Sequence, residues 1–334
     1  LWLMEEHRLM NSITVEKITV TDQQSYQDSL FPLVYAGQSN VDSVSVQRWI
    51  KQHKAQIETE LELNGAVLFR DFGVTDDQGF DAFIRAFDWP SFTYEESLSN
   101  AVRHNRTELV FTANEAPPSV SIFLHHEMAQ TPIYPSKLFF FCEQAAAVGG
   151  ATPICRSDIL LEQLKNEIPS FVAACEEKGI RYSQTMPAEN DLQSGQGRSW
   201  ASTLSTANMD EAETKLERLN YQWQWQSDGS LSVTTPILPA VKTLQGGRKV
   251  FFNQLIAAFR GWQDARNTSE KSICYGDDSP ISNDDMAIVI RLADALTFDI
   301  PWKTGDIVLV DNFITMHGRR PFEGQRRVLA SLVA

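Results

Sequence analysis

Two histidines and one glutamate are the residues of this sequence best suited to bind a metal ion. His125 and Glu127 stand two positions apart at the end of a β-like run, residues 121–125. Because side chains alternate along a strand, we expect these two to share a face and His126 to point the other way. His317 lies 192 positions further on, between two predicted strands. Two imidazoles and one carboxylate can hold a divalent ion such as Fe(II) without filling its coordination sphere.

Two further residues could bind an anion beside that metal. Arg327, the second residue of the pair Arg326-Arg327, lies ten positions after His317 and begins an apolar predicted strand. An arginine that points into a barrel would be a buried charge in need of an anionic partner. A dicarboxylate cosubstrate could supply that partner through bidentate pairing. Thr152 lies 27 positions after His125 and could donate a hydrogen bond to the same carboxylate.

Candidates for substrate contact are fewer. Arg103 could pair with a substrate carboxylate, or it could be a solvated loop residue. Asn253 ends a predicted buried strand, and its polar side chain needs partners, so it could contact substrate or support the site. The segment 183–210, rich in Gln, Ser, Gly and Asn, could be a lid anchored by Trp200, or a surface loop.

The predicted elements favour one mainly β domain. Helical patterns cover residues 42–64, 76–87, 157–178 with a break at Pro169, and 282–297. Predicted strands cover residues 66–70, 109–112, 121–125, 137–142, 151–155, 249–252, 307–311 and 327–333, with a hairpin over 223–235. No βαβ alternation appears, so we expect a double sheet or jelly roll with flanking helices. Residues 1–334 then form a single catalytic domain, with residues 1–15 disordered or foreign to the native protein.

Composition excludes several classes of protein. The formal charge is −14 and no basic run exceeds a pair, which argues against nucleic-acid binding. No apolar run approaches the roughly 20 residues that span a bilayer, and the first residues do not resemble a signal peptide. Four sparse cysteines without a CxxC pair predict reduced thiols and a cytoplasmic protein.

These residues together resemble the TauD/TfdA-like Fe(II)/2-oxoglutarate-dependent dioxygenases, and within them the clavaminate synthase-like, SyrP-like branch. The resemblance runs from about residue 60 to the C-terminus. The residues that carry it are His125-x-Glu127, Gly149-Gly150-Ala151-Thr152, His317 and Arg327, with the surrounding blocks 65–70, 111–115, 125–129, 135–140, 149–153, 251–253 and 317–322.

The resemblance implies a double-stranded β-helix. It implies iron ligation by His125, Glu127 and His317, and 2-oxoglutarate binding by Arg327 with help from Thr152. The reaction of the family splits 2-oxoglutarate into succinate and CO₂ and usually hydroxylates a C–H bond with dioxygen. The branch suggests an amino acid or an amino-acid-derived substrate in specialised metabolism, either free or tethered to a carrier protein.

Three alternatives remain open at this stage. Desaturation or cyclisation would use the same residues as hydroxylation. A non-catalytic metal-binding barrel would keep the triad but would not need Thr152 and Arg327. A zinc hydrolase could use the same three ligands.

Two departures from family patterns narrow the activity. Halogenating relatives have a small residue at the carboxylate position, so Glu127 argues against halogenation. Sulfonate-oxidising relatives place an arginine four residues after the cosubstrate arginine. Counted from Arg327, this sequence has Ser331 there, which makes taurine a poor substrate.

Overall fold

The structure is a computed structural model of the chain and describes residues 13–93, 103–191, 193–194 and 197–334. The described helices are α1 (Ser43–Asn64), α2 (Asp77–Arg85), α3 (Ser157–Glu167), α4 (Pro169–Lys178), α5 (Trp200–Leu204), α6 (Met209–Arg218), α7 (Leu255–Gly261), α8 (Ser269–Ser272) and α9 (Asn283–Ala295).

The described strands are β1 (Glu16–Ile18), β2 (Gln24–Tyr26), β3 (Ser29–Phe31), β4 (Leu33–Ala36), β5 (Ala66–Arg70), β6 (Phe111–Thr112), β7 (Ile122–His125), β8 (Lys137–Gln144), β9 (Val148–Gly149), β10 (Thr152–Arg156), β11 (Ile180–Met186), β12 (Gln222–Trp225), β13 (Leu231–Thr234), β14 (Lys242–Thr243), β15 (Lys249–Val250), β16 (Ile273–Tyr275), β17 (Thr297–Ile300), β18 (Ile307–Asp311), β19 (Thr315–Arg319), β20 (Phe322–Glu323) and β21 (Arg327–Val333).

Two sheets share the central apolar core. Within the described residues, the large sheet has seven strands in the order β1-β4-β5-β18-β8-β21-β6, and the small sheet has four in the order β17-β10-β19-β7. Val308, Phe140 and Ala330 of the large sheet belong to the same buried cluster as Ile154 and Phe298 of the small sheet. This arrangement is the predicted jelly roll. Its last strand, β21, pairs with β8 in the large sheet.

Helices cover the outer faces of both sheets. On the large sheet, Val67 and Phe69 of β5 point away from the central core and pack in one cluster with α1 and α2. On the small sheet, Met316 of β19 packs with α3, α4, α7 and α9. Each sheet is therefore buried on both faces, which explains why β5, β8 and β18 of the large sheet contain continuous apolar runs.

Local sequence signals set the ends of the helices. The Asp42 carboxylate accepts a hydrogen bond from the Ser45 amide at the start of α1, and Gly65 ends that helix with φ +83°. A Cβ atom at position 65 would lie 2.7 Å from the Thr315 hydroxyl oxygen, so both conformation and space require glycine there. Asp76 caps α2 and Ser282 caps α9.

A third sheet extends the fold beside the small sheet. In the described part of the chain its order is β12-β13-β11-β16, and Asp228-Gly229 turns the predicted hairpin between β12 and β13.

Residues 1–12 lie outside the described part of the chain. Ile13 is buried against the cluster of α1 and α2. The expectation that the first residues are disordered or foreign to the native protein stays a prediction. Among the described helices, none combines the length and the apolar character needed to cross a membrane.

Candidate metal centre

The three predicted metal ligands converge on the small sheet. His125 is the last residue of β7, and Glu127 follows in the turn that begins there. His317 is the middle residue of β19 and stands opposite His125 in the antiparallel register. One ligand atom from each residue lies within 4.8 Å of the other two. The pairing of β7 with β19 therefore closes the long gap in sequence between the two histidines.

Both imidazoles present Nε2 to the glutamate. The Nδ1 atom of His125 lies 2.8 Å from the Phe123 carbonyl oxygen, which fixes Nδ1 as the donor and leaves Nε2 to act as a ligand. The Nε2 atoms of His125 and His317 lie 3.8 and 3.3 Å from Glu127 Oε2. Three ligand atoms facing one point are what a facial metal site requires.

Charges around the site favour the protonation states that bind metal. Burial alone would raise the pKa of the Glu127 carboxyl, but the Arg103 guanidinium and the hydrogen bonds with both histidines hold it well below its usual value. Burial, together with the charges of His125 and Arg103, lowers the pKa of His317 to about 4, although Glu127 acts in the opposite direction. A charged carboxylate and a neutral imidazole are therefore available at neutral pH.

A clamp that the sequence did not reveal holds the turn at Glu127. The Asn312 side chain accepts a hydrogen bond from the Glu127 amide at 2.7 Å and donates to the Glu127 carbonyl at 3.0 Å. His126 points away from the site, as predicted, and its Nδ1 lies 2.5 Å from the Asn312 carbonyl oxygen. Asn312 follows β18 in the sequence block Asp-Asn-Phe, but its polar type alone did not indicate this role.

A cavity adjoins the three residues. Its empty volume is about 930 Å³ when the space open to solvent is included. The lining residues are Arg103, Ala113, Asn114, Ile122, His125, Glu127, Gln130, Phe140, Thr152, Gln184, Gln254, Ala257, Trp262, His317, Gly318, Arg319, Arg326 and Val328.

One part of the cavity wall is cationic. Arg326 donates from Nε to the Gly150 carbonyl at 2.8 Å and from Nη2 to the Thr152 hydroxyl at 3.3 Å. Arg319 donates to four backbone carbonyls of the segment 114–120. Burial lowers the pKa of each arginine to about 10, and neither forms an ion pair with another described residue. Two buried guanidiniums without a carboxylate partner in the described chain make this end of the cavity suited to an anion.

Comparison with known proteins identifies the family. The family model described as "Taurine catabolism dioxygenase TauD, TfdA family" matches residues 29–332. This chain belongs to the TauD/TfdA dioxygenase family. Most of the described chain, including all three converging ligands, lies within the match.

Two relatives align over most of their length. A clavaminate synthase-like protein from Arabidopsis thaliana is 36% identical over 330 residues, which cover 97% of this chain and 99% of that protein. The dapdiamide synthesis protein DdaC from Enterobacter agglomerans is 29% identical over 314 residues, covering 88% of this chain and 89% of its own.

Solved structures of low sequence identity share the fold. One is AAD-2 in complex with Mn(II) and N-oxalylglycine, with a TM-score of 0.53 at 13% identity, covering 97% of this chain and 98% of that one. Another is the PvcB protein from Pseudomonas aeruginosa, with a TM-score of 0.53 at 14% identity, covering 96% of this chain and 91% of that one. The likeness supports the jelly-roll core.

TauD/TfdA enzymes are Fe(II)- and 2-oxoglutarate-dependent dioxygenases, and this protein is an enzyme of that class. Its residues fit both cofactors. His125, Glu127 and His317 offer the two imidazoles and one carboxylate that suit Fe(II). The cationic wall with Arg326 and Thr152 offers a partner for a carboxylate of 2-oxoglutarate.

Arg327, the predicted cosubstrate arginine, does not face this cavity. Its side chain is 56% exposed, and Nε lies 2.9 Å from Glu143 Oε2. Arg326 lines the cavity in its place. Arg326 lies immediately before β21 and its guanidinium contacts Gly150 and Thr152, whereas the Arg327 side chain pairs with Glu143. The residue four positions after Arg326 is Ala330, so the departure from sulfonate-oxidising relatives persists.

Asn253, predicted to contact substrate, is also not in the cavity wall. Its Nδ2 donates to the Ala240 carbonyl at 3.0 Å, and its Oδ1 accepts from the Leu255 amide at 3.0 Å. These backbone groups satisfy the buried side chain, so Asn253 shapes the turn before α7. The neighbouring Gln254 lines the cavity and donates to the His126 carbonyl at 3.0 Å.

Arg103 does line the cavity, as a substrate-binding residue must. Its Nη2 lies 3.1 Å from Glu127 Oε1, so the guanidinium already has a partner within the site. Substrate contact by Arg103 stays a prediction.

The possible lid carries several anchoring contacts. Trp200 packs edge-on against Trp225, with ring centroids 4.9 Å apart, and Asp191 pairs with Arg266 at 2.9 Å. Residues 192, 195 and 196 of this segment lie outside the described part. A lid role for residues 183–210 stays a prediction.

Proposed function

We propose that this enzyme hydroxylates an unactivated C–H bond of an amino acid or an amino-acid-derived small molecule. The proposal extends to a role in specialised metabolism and to a cytoplasmic enzyme. The substrate is either free or tethered to a carrier protein. The relative named for dapdiamide synthesis supports a biosynthetic substrate rather than a catabolic one.

The polar wall of the cavity carries the proposal. Its side-chain amides come from Asn114, Gln130, Gln184 and Gln254. The Gln130 Oε1 atom is buried and finds no hydrogen-bond partner among the described residues. A buried acceptor of this kind needs an N–H or O–H donor. An amino or amide group of a bound substrate would supply that donor.

Apolar groups line the cavity as well. Ile122, Ala257 and Trp262 form part of its wall. A substrate with a short aliphatic portion would lie against these side chains and exclude water from the reacting carbon.

The cosubstrate belongs at the cationic wall in this proposal. Iron with bound 2-oxoglutarate and dioxygen supplies the oxidising chemistry. Arg326 and Thr152 hold the distal carboxylate of 2-oxoglutarate, the role predicted for Arg327 and Thr152. Arg319 adds positive charge nearby and keeps the wall segment 114–120 in place.

The test is a substrate screen under anaerobic loading with Fe(II) and 2-oxoglutarate, followed by oxygen. The panel holds free amino acids, their amides, the same amino acids as pantetheine thioesters, and taurine. Mass spectrometry should find the gain of one oxygen atom with matching succinate release for at least one amino acid or derivative. Turnover of a thioester alone would identify a tethered substrate. Turnover only of taurine or of a nitrogen-free acid would contradict the proposal.

The Gln130 contact has its own control. Gln130→Leu should lower kcat/KM for the identified substrate by at least about tenfold, the effect of a lost hydrogen bond to a charged donor. Gln222→Leu, at an exposed position of β12, should leave kcat/KM unchanged. Equal effects of the two substitutions would remove Gln130 from substrate binding.

A further inference from the structure

The two carboxylate oxygens of Glu127 face different partners. Oε2 lies 3.3 Å from His317 Nε2 and 3.8 Å from His125 Nε2, on the side where the three ligands converge. Oε1 lies 3.1 Å from the Arg103 guanidinium. One oxygen is thus directed at the metal position and the other is held by a cation.

Arg103 is itself held in place. Its side chain is only 13% exposed, and its guanidinium lies over the Phe111 ring at 5.4 Å from the centroid. Phe111 belongs to β6, whose partner in the large sheet is β21. A cation stacked on an aromatic ring of a paired strand has a defined position. The large sheet therefore positions Arg103 through Phe111, whereas both histidines lie on strands of the small sheet.

The backbone of Glu127 is fixed independently by the Asn312 clamp on its amide and carbonyl. With the backbone fixed, the length of the side chain decides what the carboxylate can reach. Aspartate is shorter by one methylene, so its carboxylate would lie farther from Arg103 when directed at the metal position.

We propose that Arg103 is a positioning residue that keeps Glu127 a monodentate metal ligand. Arg103 occupies Oε1, so that oxygen does not take a second coordination position, and the position stays open for the cosubstrate. The inference depends on the metal role of the triad and is independent of which substrate is hydroxylated. It gives Arg103 a role beside, or instead of, substrate contact.

The test compares cosubstrate affinity with metal affinity in the full chain. Mn(II) affinity is measured from the electron paramagnetic resonance signal of the free ion. Affinity of the Mn(II)-loaded protein for N-oxalylglycine, an unreactive 2-oxoglutarate analogue, is measured by calorimetry. In Arg103→Met, N-oxalylglycine affinity should fall at least about tenfold, or about 1.4 kcal/mol, because the freed Glu127 oxygen competes for a coordination position. Mn(II) affinity should change by less than about threefold, because the freed oxygen can bind the metal in compensation.

Matched variants separate positioning from general damage. Arg103→Lys keeps one charged donor for Oε1 and should restore most of the N-oxalylglycine affinity. Arg106→Met removes the same charge three positions away, where the arginine pairs with Asp77 and Glu143, and should match the wild type. In the Glu127→Asp background, Arg103→Met should add less than about a twofold further effect, since the Asp carboxylate lies farther from Arg103.

Two results would overturn the inference. One is an Arg103→Met protein that binds N-oxalylglycine as tightly as wild type. The other is a parallel loss of Mn(II) and N-oxalylglycine affinity that Arg103→Lys does not restore, which would show a structural role. None of these measurements needs turnover, so a failed substrate screen leaves them interpretable.

Discussion

At the scale of single residues, the cavity brings positive charge to one buried carboxylate. Glu127 has Arg103 on one oxygen and two imidazoles on the other, while Arg326 and Arg319 have no carboxylate partner within the described chain. Buried cations without partners are costly unless a ligand pairs with them. A dianionic cosubstrate would offset that cost. Separate substitutions of Arg326 and Arg327 can therefore show which of the two arginines binds it.

We predict opposite outcomes for Arg326→Leu and Arg327→Leu. Arg326 bonds Gly150 and Thr152 inside the cavity, so its loss should weaken 2-oxoglutarate binding by about 2–5 kcal/mol, at least about thirtyfold in Kd. Arg327 forms an exposed pair with Glu143, which contributes about 0–1 kcal/mol to stability and nothing to the cavity. Calorimetric titration of the Mn(II)-loaded variants with 2-oxoglutarate under anaerobic conditions measures both constants.

If Arg327→Leu bound 2-oxoglutarate more weakly than the wild type and Arg326→Leu bound it normally, Arg327 would be the cosubstrate arginine, as the sequence predicts.

The sequence does not decide between the two arginines because β21 is buried on both faces. Residues 328–333 are apolar or small at nearly every position, so their alternation is hidden. Asn253 lies beyond the end of β15 at Val250, where the backbone groups of Ala240 and Leu255 satisfy its side chain.

At the scale of elements, the sequence predicts most strands of the site but not the one that carries His317. The apolar strands β5 and β18 match the sequence prediction residue for residue, and the helix α1 differs from it only at its cap, Asp42. The strand β19, which carries His317, was missed because Thr, His, Gly and Arg interrupt any apolar pattern. All five of its residues are nonetheless buried. Functional sites put polar residues at buried positions that would otherwise be apolar. Hydrophobic patterns therefore do not predict the strands that carry such sites.

The end of β18 carries a buried acid that should make stability depend on pH. Burial raises the pKa of Asp311 to about 6, although the amides of Phe313 and Ile314 donate to it and oppose the rise. The folded protein therefore keeps this proton to a higher pH than the unfolded chain. The stability it contributes is complete below the unfolded pKa and is lost as the pH rises through about 6.

Asp311→Asn should remove that loss, because the amide oxygen can still accept both backbone hydrogen bonds. At neutral pH we expect the variant to be more stable than the wild type by about 2–3 kcal/mol, with the difference shrinking toward pH 4. Urea unfolding of both proteins at several pH values measures the difference. A variant that is less stable at neutral pH would mean that the pKa of Asp311 is lower in the folded protein than in the unfolded chain, with Lys137 and Arg248 stabilising the charged form.

At the scale of the whole molecule, the site joins parts of the chain that are far apart in sequence. Both histidines lie on the small sheet, in β7 and β19, and Arg103 packs on Phe111 of β6 in the large sheet. Asn312, on the connection between β18 and β19, links the two sheets at Glu127. A ligand at this junction bridges segments that separate when the protein unfolds, so its binding should stabilise the whole fold.

Metal binding should therefore raise the melting temperature. An ion at about a hundredfold excess over its Kd adds about 2.7 kcal/mol to the free energy of unfolding, which corresponds to a rise of several degrees in the melting temperature for a chain of this size.

Mn(II) should produce this rise in the wild type and in Asp299→Asn, which removes an exposed acid of the small sheet. The rise should vanish in His317→Ala and Glu127→Ala, and also in Glu127→Gln, which keeps the side-chain shape. Chelation should return the wild type to the value of the untreated protein. A full rise in any of the three ligand variants would show that Mn(II) stabilises the protein at another place.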